Sequence, residues 1–412
     1  MSDADAAPGS LREVLAEAPF MRYLLARFVS SLAVQMQTMA VGLQVYQLTH
    51  RPLDLGLIGL SQFLPFLVFV LPAGQLADRC SRKGILLGCF LVGLCCALAL
   101  LGLTVSGLKS ALPVFAVMVP FGIGRALMSP ASQALVPNLV PRRLFSNAIG
   151  LNSSLWQVAT ITGPALGGVL YAQAGPAAVY AVVAGLISVA VLAMLLMPAP
   201  QQTAAPEPAS WHSVVEGLRF VWRRHTVLGA ISLDLFAVLF GGATALLPAY
   251  ATDVLGVGPA GLGWLRSAPG LGAAVMGALL TVRPISRGVG RAMFGGVFVF
   301  GLATVAFALS RSYLLSMLAL AVLGAADMVS VFVRHLLVQI ETPDVMRGRV
   351  GAVNAMFIGA SNELGEFESG LTAAWWGLVP AVLVGGIATI AVAWIWSRWF
   401  PELTRMDRFR ES

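Results

Sequence analysis

The sequence predicts an all-α integral membrane protein with twelve transmembrane helices in two six-helix bundles. Hydrophobic residues make up 58% of the 412-residue chain and charged residues only 11%, whereas a soluble domain carries about 25% charged residues. Apolar runs of about 20 residues, the length that spans a bilayer, recur along the whole chain. A Pro/Ala/Gln-rich run, PAPQQTAAPE, separates the first six runs from the last six, and we interpret it as a linker.

The predicted spans follow one another with short connections. They cover 21–48, 55–77, 84–107, 112–136, 145–171, 176–197, 227–251, 260–282, 290–309, 312–338, 347–374 and 378–399. We therefore predict one bundle over 1–197, a cytoplasmic linker with an amphipathic helix over 198–224, and a second bundle over 225–412.

The distribution of basic residues predicts the orientation. Most of the 26 Lys and Arg residues fall near the termini and in alternate loops, whereas the opposite loops contain only Arg51, Lys109 and Arg311. The positive-inside rule then places both termini in the cytoplasm. The same rule accounts for the net charge of +7 without a nucleic-acid partner.

The N-terminal segment is polar, and a short amphipathic helix from Leu11 to Glu17 is expected, capped by Ser10. This segment has no hydrophobic core, so a cleaved signal peptide is not expected. Four cysteines lie between Asp78 and Leu98 without zinc-type spacing or nearby histidines. We expect neither a metal site nor a cofactor.

The two halves show matches at a nearly constant offset. SLREVL at 10–15 matches SVVEGL at 213–218, and ITGPALGG at 161–168 falls on ELGEFESG at 363–370. These matches predict a parallel internal repeat. The repeat also pairs Arg125 with Asp327, so opposite charges would face each other across a central axis. They would interact directly as a structural ion pair, or through a substrate.

Ionisable residues inside spans are rare, and they usually face a protein interior or a water-filled cavity. The eleventh span carries three acids within six residues. Glu363 and Glu366 lie about 60° apart on a helix and share a face, whereas Glu368 points elsewhere. Neighbouring carboxylates in a low-dielectric site can hold a proton near neutral pH. The alternative is that all three acids are paired with Arg125, Arg266 or backbone donors.

The candidate proton- and substrate-binding residues are therefore the ionisable residues of the predicted spans. They are Glu363, Glu366, Glu368, Asp327, Arg125, Asp234 and Arg266. We interpret Arg334 and His335 differently, as a pair at the cytoplasmic end of the tenth span that extends outward to water.

The loop after the second span reads GQLADRCSRKG and resembles the signature of the major facilitator superfamily. Ser81 stands where that family usually has glycine. The resemblance implies a cytoplasmic gate, with a counterpart in TPDVMRGR at 342–349, although an ordinary basic loop is the alternative. The predicted gate residues are Gly74, Asp78, Arg79, Arg82, Lys83, Asp344 and Arg347.

The fifth span contains GPALGG, which resembles the motif that antiporters of the same superfamily carry on this helix. The resemblance implies a hinge formed by Gly163, Pro164, Gly167 and Gly168. A proline removes one helical hydrogen bond and bends the helix, and glycines permit close packing. Helix packing alone is the competing interpretation.

The whole chain is similar to the bacterial enterobactin-exporter-like group of drug and siderophore exporters within this superfamily. FMRYLLARFVSSLA, GQLADRCSRKG and VQIETPDVMRGRVGAVN carry the resemblance. It implies an inner-membrane monomer that exports a small-molecule substrate by alternating access, with protons as the coupling ion and the lipid bilayer as its surroundings.

Two alternatives remain at this point. The clustered acids together with Asp327 would also suit transport of a metal ion or an organic cation. A multispan membrane enzyme or a sensor is the other alternative. An enzyme needs a catalytic constellation, yet the four histidines, His50, His212, His225 and His335, are scattered along the chain, and we do not expect an enzyme.

Overall fold

The computed structural model describes residues 10–198 and 211–408, and within them the regular structure is helical. In the first part of the chain the helices are α1 Leu11–Ala16, α2 Ala18–Thr49, α3 Pro52–Arg79, α4 Arg82–Val105, α5 Leu112–Leu135 and α6 Phe145–Leu195. The second part contains α7 Trp211–Arg223, α8 His225–Phe240, α9 Leu247–Ala249, α10 Pro259–Val282, α11 Val289–Leu309, α12 Tyr313–Glu341, α13 Asp344–Trp376, α14 Leu378–Trp399 and α15 Pro401–Thr404.

Ten segments of the described chain are long and apolar enough to cross a bilayer. One of them, Arg142–Leu195, contains two predicted spans, because Gly175 at φ 76° interrupts the helical backbone of α6. Helix α13 is long enough to span a bilayer at 33 residues, but its charged residues keep it out of the apolar set. Counting both halves of α6 and adding α13 gives the twelve predicted helices, and the predicted fold class is confirmed.

The span predicted at 227–251 is present as His225–Val254, but it is not one continuous helix. Helix α8 ends at Phe240, and a 3₁₀ segment Ala243–Leu246, the short α9 and a π segment Tyr250–Val254 complete the span. Glycines 241 and 242 lie at the break, where neighbouring helices come too close for a side chain. A Cβ at Gly241 would lie 2.3 Å from the Phe300 ring, and one at Gly242 would lie 2.7 Å from the Gly365 carbonyl oxygen.

The residues divide into two compact units that cut across α2 and α3. Within the described residues, the first unit contains 10–41 and 64–198, and the second contains 42–63 and 211–408. The end of α2 and the start of α3 therefore pack with the second half of the chain. The domain boundaries predicted from the sequence, which follow connectivity rather than contacts, stay a prediction.

Each unit contains a similar amphipathic-helix contact. In the first unit Ser10 caps α1, as predicted, and Glu13 pairs with Arg143 at 2.7 Å. In the second unit Glu216 on α7 pairs with Arg349 near the start of α13 at 2.5 Å. Glu13 and Glu216 are matched residues of the predicted repeat, so the two contacts support an internal duplication.

Backbone-to-backbone contact at glycine positions draws the helices of the second unit together. A Cβ at Gly324 of α12 would lie 2.0 Å from the carbonyl oxygen of Pro269 in α10, and one at Gly272 of α10 would lie 1.8 Å from that of Ala321. Small residues at such crossings allow the close van der Waals contact that holds membrane helices together.

The crossing of α10 and α12 gives a stability prediction. Gly324→Ala places a methyl group against a backbone carbonyl, and we expect it to lower the free energy of unfolding by about 1–3 kcal/mol, the range for overpacking. The matched control is Gly295→Ala on α11, because a Cβ at that exposed position meets nothing within 4 Å. Thermal unfolding of both variants in detergent checks the prediction, and equal stability of the two would contradict it.

Candidate transport site

The middle of α13 lies inside the second unit, between α3 and the break after α8. Its three acids, Glu363, Glu366 and Glu368, are all half-buried. Beside them, Gly365 and Ser369 are buried and provide the small surface on which neighbouring helices pack. The acids are therefore part of a helix crossing rather than a face open to lipid.

Glycines bring α3 and α13 into direct contact. A Cβ at Gly370 of α13 would lie 2.8 Å from Gly56 Cα, and one at Gly56 would lie 3.0 Å from the Phe367 carbonyl oxygen. One turn further along α3, a Cβ at Gly59 would lie 2.9 Å from Oε2 of Glu366. The carboxylate of Glu366 thus occupies the space that a side chain at position 59 would take.

The charge of Glu366 acts on the guanidinium group of Arg266 on α10. The same guanidinium group approaches α2, where a Cβ at Gly42 would lie 3.7 Å from its Nη1. Two residues predicted separately from the sequence are therefore brought together. They interact where parts of α2, α3, α10 and α13, all within the second unit, come together.

Glu368 lies on another face of α13, as the helical spacing predicts. The next residue along the helix is Ser369, which is buried. That serine lies beside the break in α8, since a Cβ at Gly242 would lie 2.5 Å from Ser369 Oγ. Interrupted helices commonly form the substrate and ion sites of transporters, because their ends expose backbone polar groups to the site.

A pair of opposite charges, Asp234 and Arg334, joins α8 to α12. Asp234, which is 5% exposed, forms an ion pair with Arg334, which is 3% exposed. The prediction that Arg334 extends outward to water is therefore wrong, because Asp234 compensates its charge inside the unit. His335 next to it is exposed, as expected.

Asp234 and Asp327 line one small cavity, together with Ser330 of α12 and apolar residues of α8 and α11. The cavity holds about one water molecule. Arg334 compensates Asp234, whereas Asp327 makes no hydrogen bond or ion pair with any residue in the described part of the chain. Asp327 is thus a second carboxylate that lines a cavity in this unit.

A hydrogen bond that the sequence did not predict also lies in the second unit. Tyr46, near the end of α2, is fully buried and donates its hydroxyl to Asp253 in the π segment. The ring of His50 packs edge-on against Tyr46 at 5.8 Å between centroids. This bond fixes the end of α2 to the segment that follows the break in α8.

In the first unit the proposed hinge glycines make packing contacts. A Cβ at Gly163 would lie 2.5 Å from Gln35 Cβ, and one at Gly167 would lie 3.2 Å from Met36 Cα, so α6 packs closely on α2. Helix α6 continues through Pro164 and is interrupted only at Gly175. The hinge function of Gly163, Pro164, Gly167 and Gly168 stays a prediction.

Polar groups of the first unit include Gln37 of α2, which is 1% exposed and whose amide atoms both lack a hydrogen-bond partner among the described residues. Arg125 on α5 is exposed. Its predicted pairing with Asp327 stays a prediction. The buried amide of Gln37 is a group whose hydrogen bonds a polar substrate can supply.

Basic residues of the proposed cytoplasmic gate bind helix ends within their own units. Arg82 Nη1 donates to the Ala134 carbonyl oxygen at 2.9 Å, and Lys83 Nζ donates to that of Leu195 at 3.2 Å. In the second unit Arg347 donates to the Gln339 carbonyl oxygen at 3.4 Å. Cations at helix C-termini are favourable because the last carbonyl groups carry partial negative charge.

The remaining gate residues, namely Gly74, Asp78, Arg79 and Asp344, lie outside the residues whose side chains the structure describes. Within the described residues, no group of three His, Cys, Asp or Glu side chains is close enough to hold a metal ion.

Several residues at this site were not identified from the sequence. They are Gly56, Gly59, Gly242, Tyr46 and Asp253. The glycine spacing in LGLIGL and the Gly-Gly pair at 241–242 were the available signals, since paired small residues in a span indicate a close helix crossing or a break. Nothing in the local sequence pairs Tyr46 with Asp253.

Twelve spanning helices, a charged interior and a broken seventh span define this protein as a polytopic membrane transporter of the major facilitator type. The chain belongs to the family described as transmembrane secretion effector, whose sequence model matches residues 14–409. The predicted membership of the major facilitator superfamily, in its enterobactin-exporter-like group, is confirmed.

Curated relatives cover most of the chain. The enterobactin exporter EntS of Citrobacter koseri is 27% identical over 391 residues, which is 94% of this chain and 92% of that protein. The protein of the same name from Shigella dysenteriae serotype 1 is 28% identical over 338 residues, 81% of this chain and 80% of that protein. These names indicate a transporter rather than an enzyme.

Solved structures of other transporters have the same fold. A mutant of the nucleoside transporter NupG superposes with a TM-score of 0.74 at 12% identity, covering 93% of this chain and 100% of that chain. A mutant of the peptide transporter POT gives a TM-score of 0.75 at 11% identity, covering 98% of this chain and 100% of that chain. At such identities the likeness extends to the fold alone.

The buried pair of Asp234 and Arg334 gives a prediction on stability. Arg334→Met leaves Asp234 without its opposite charge, and we expect a loss of about 3–5 kcal/mol in unfolding free energy. The double variant Asp234→Leu/Arg334→Met removes both charges, and we expect it to recover most of that loss. Denaturant unfolding in detergent measures both, and an additive effect of the two substitutions would contradict the pairing.

Proposed function

We propose that this secondary transporter exports small organic molecules, siderophores and drugs among them, in exchange for protons. It would act as a monomer in the inner membrane of a bacterium with both termini in the cytoplasm. The names of the enterobactin exporters support export and suggest the class of cargo. The basic residues of alternate loops support the orientation.

The observation that carries proton coupling is the position of Glu366. Its carboxylate lies in the crossing of α3 and α13, where a Cβ at Gly59 would lie 2.9 Å away, and Arg266 is its electrostatic partner. An ionisable residue inside a transporter bundle is a functional site by default, and a carboxylate there is a group that can take up and release a proton.

Protonation of Glu366 also changes the charge balance of the helix crossing. While Glu366 is ionised, the pair with Arg266 is neutral and the crossing is stable. When Glu366 takes up a proton, the attraction between its carboxylate and Arg266 is lost, which carries a cost in free energy. The protein relieves this cost by rearranging the helices that meet there, and this rearrangement is the link between protonation and movement.

The transport cycle follows from these two charge states. Substrate loads from the cytoplasm while the acids are ionised, and the units then change conformation so that the site opens to the outside. Protonation of Glu366 from the outside accompanies substrate release, and proton loss to the cytoplasm resets the cycle. Asp327, which faces its own small cavity, supplies a second carboxylate for the proton or for a cationic group of the substrate.

The direct test uses enterobactin as the probe, in proteoliposomes loaded with it and placed in acidic medium. We expect efflux that depends on the pH gradient and stops when a protonophore collapses that gradient. Glu366→Gln is expected to reduce the pH-driven rate to that of protein-free liposomes, because glutamine cannot exchange a proton. Glu402→Gln is the matched control, since Glu402 is exposed on the short helix α15.

Thermal unfolding of the Glu366→Gln protein shows whether its fold is intact. A folded Glu366→Gln variant that still transports in response to pH would remove Glu366 from the mechanism. A wild-type protein that moves enterobactin at a rate independent of the pH gradient would overturn proton coupling, and transport of drugs without transport of enterobactin would narrow the cargo class.

A further inference from the structure

The amphipathic helix α7 is fixed at the end of a membrane span. Only Arg224 separates it from α8, and Arg224 has an extended backbone, with φ −101° and ψ 95°. Because α8 begins a segment that crosses the bilayer, α7 lies at the level of the membrane surface. Its position does not depend on which side of the membrane it faces.

One face of α7 is firmly attached to the second unit. Val221 is 1% exposed in an apolar cluster with residues of α8, α12 and α13. A Cβ at Gly217 would lie 2.8 Å from the Arg349 carbonyl oxygen, so the helix backbone touches the start of α13. The only acid of α7, Glu216, is paired with Arg349 at 2.5 Å.

The opposite face combines apolar and cationic side chains. Val215, Arg219, Trp222 and Arg223 fall within about 100° of the helix circumference and are all exposed. Trp222 is 64% exposed and Val215 is 47% exposed. We call these four residues the α7 outer face. Because Arg349 pairs with Glu216, the positive charge of Arg219 and Arg223 is not offset by the acid of their own helix.

We propose that the α7 outer face binds the anionic headgroups of the adjacent lipid leaflet. An interfacial helix with arginines beside an exposed tryptophan matches this surface, because the indole ring inserts at the headgroup level and the guanidinium groups pair with phosphate. Each arginine at a membrane surface contributes about a fivefold gain in affinity for anionic lipid.

The binding site is connected to α13. Arg349 and the backbone beside it, which hold α7, belong to the same continuous helix as Glu366. Lipid bound to the α7 outer face therefore stabilises the position of the N-terminal end of α13 relative to α8. The lipid acts as a structural ligand of the second unit.

The test titrates phosphatidylglycerol into the purified full-length protein in a neutral detergent and follows the unfolding temperature. We expect phosphatidylglycerol to raise this temperature and phosphatidylcholine to have little effect. In Arg219→Gln/Arg223→Gln about 30-fold more phosphatidylglycerol is expected for the same shift. The control Arg287→Gln/Arg291→Gln removes the same charge from exposed positions of the same unit and should respond as the wild type does.

Two further variants separate binding from folding. Arg219→Lys/Arg223→Lys keeps the charge and should retain most of the response, whereas Trp222→Ala should weaken it. Three results would overturn the proposal: no preference for phosphatidylglycerol in the wild-type protein, an equal loss in the control variant, or a response unchanged in Arg219→Gln/Arg223→Gln. The readout needs no transport substrate, so it is independent of the proposed cargo and coupling ion.

Discussion

A charge inside a membrane bundle needs an opposite charge or a hydrogen-bonding group close by, and two pairs of charged residues in the second unit meet this requirement. Arg334 of α12 compensates Asp234 of α8, and Arg266 of α10 is the partner of Glu366 of α13. These pairs join helices that lie far apart in the sequence. Removing one residue of such a pair costs far more unfolding free energy than removing both residues. The arrangement of the helices therefore depends on the charge state of these residues.

Glycines determine how closely the helices that carry these charges approach one another. Because α3 carries Gly56 and Gly59 at its contact with α13, its backbone approaches Glu366 without an intervening side chain. The carboxylate then has little room to change its surroundings unless the two helices move. The break after α8 lies against the opposite side of α13, at Gly365 and Ser369, so the acidic segment is held between a tight crossing and an irregular backbone.

The number of spans and the location of charged residues within them could be predicted from the sequence, because bilayer thickness fixes span length and intramembrane charge is rare. Arg266 and Glu366 were both identified, and their pairing was one of two alternatives between which the sequence did not decide. Pairing across a bundle depends on helix rotation and crossing, which periodicity within one helix does not specify. Arg334 was misinterpreted for the same reason, since a basic residue near a helix end resembles one that extends to water until Asp234 is placed beside it.

The most direct test of proton exchange at Glu366 is infrared difference spectroscopy of the purified protein between neutral and acidic pH. We expect acidification to produce bands of protonated carboxylic acids, and we expect the component that belongs to Glu366 to be missing from the Glu366→Gln protein. We also expect this component to remain in the Glu402→Gln protein, whose substitution is on the surface. A carboxyl band of full intensity in Glu366→Gln would contradict the claim that Glu366 exchanges a proton within the transport cycle.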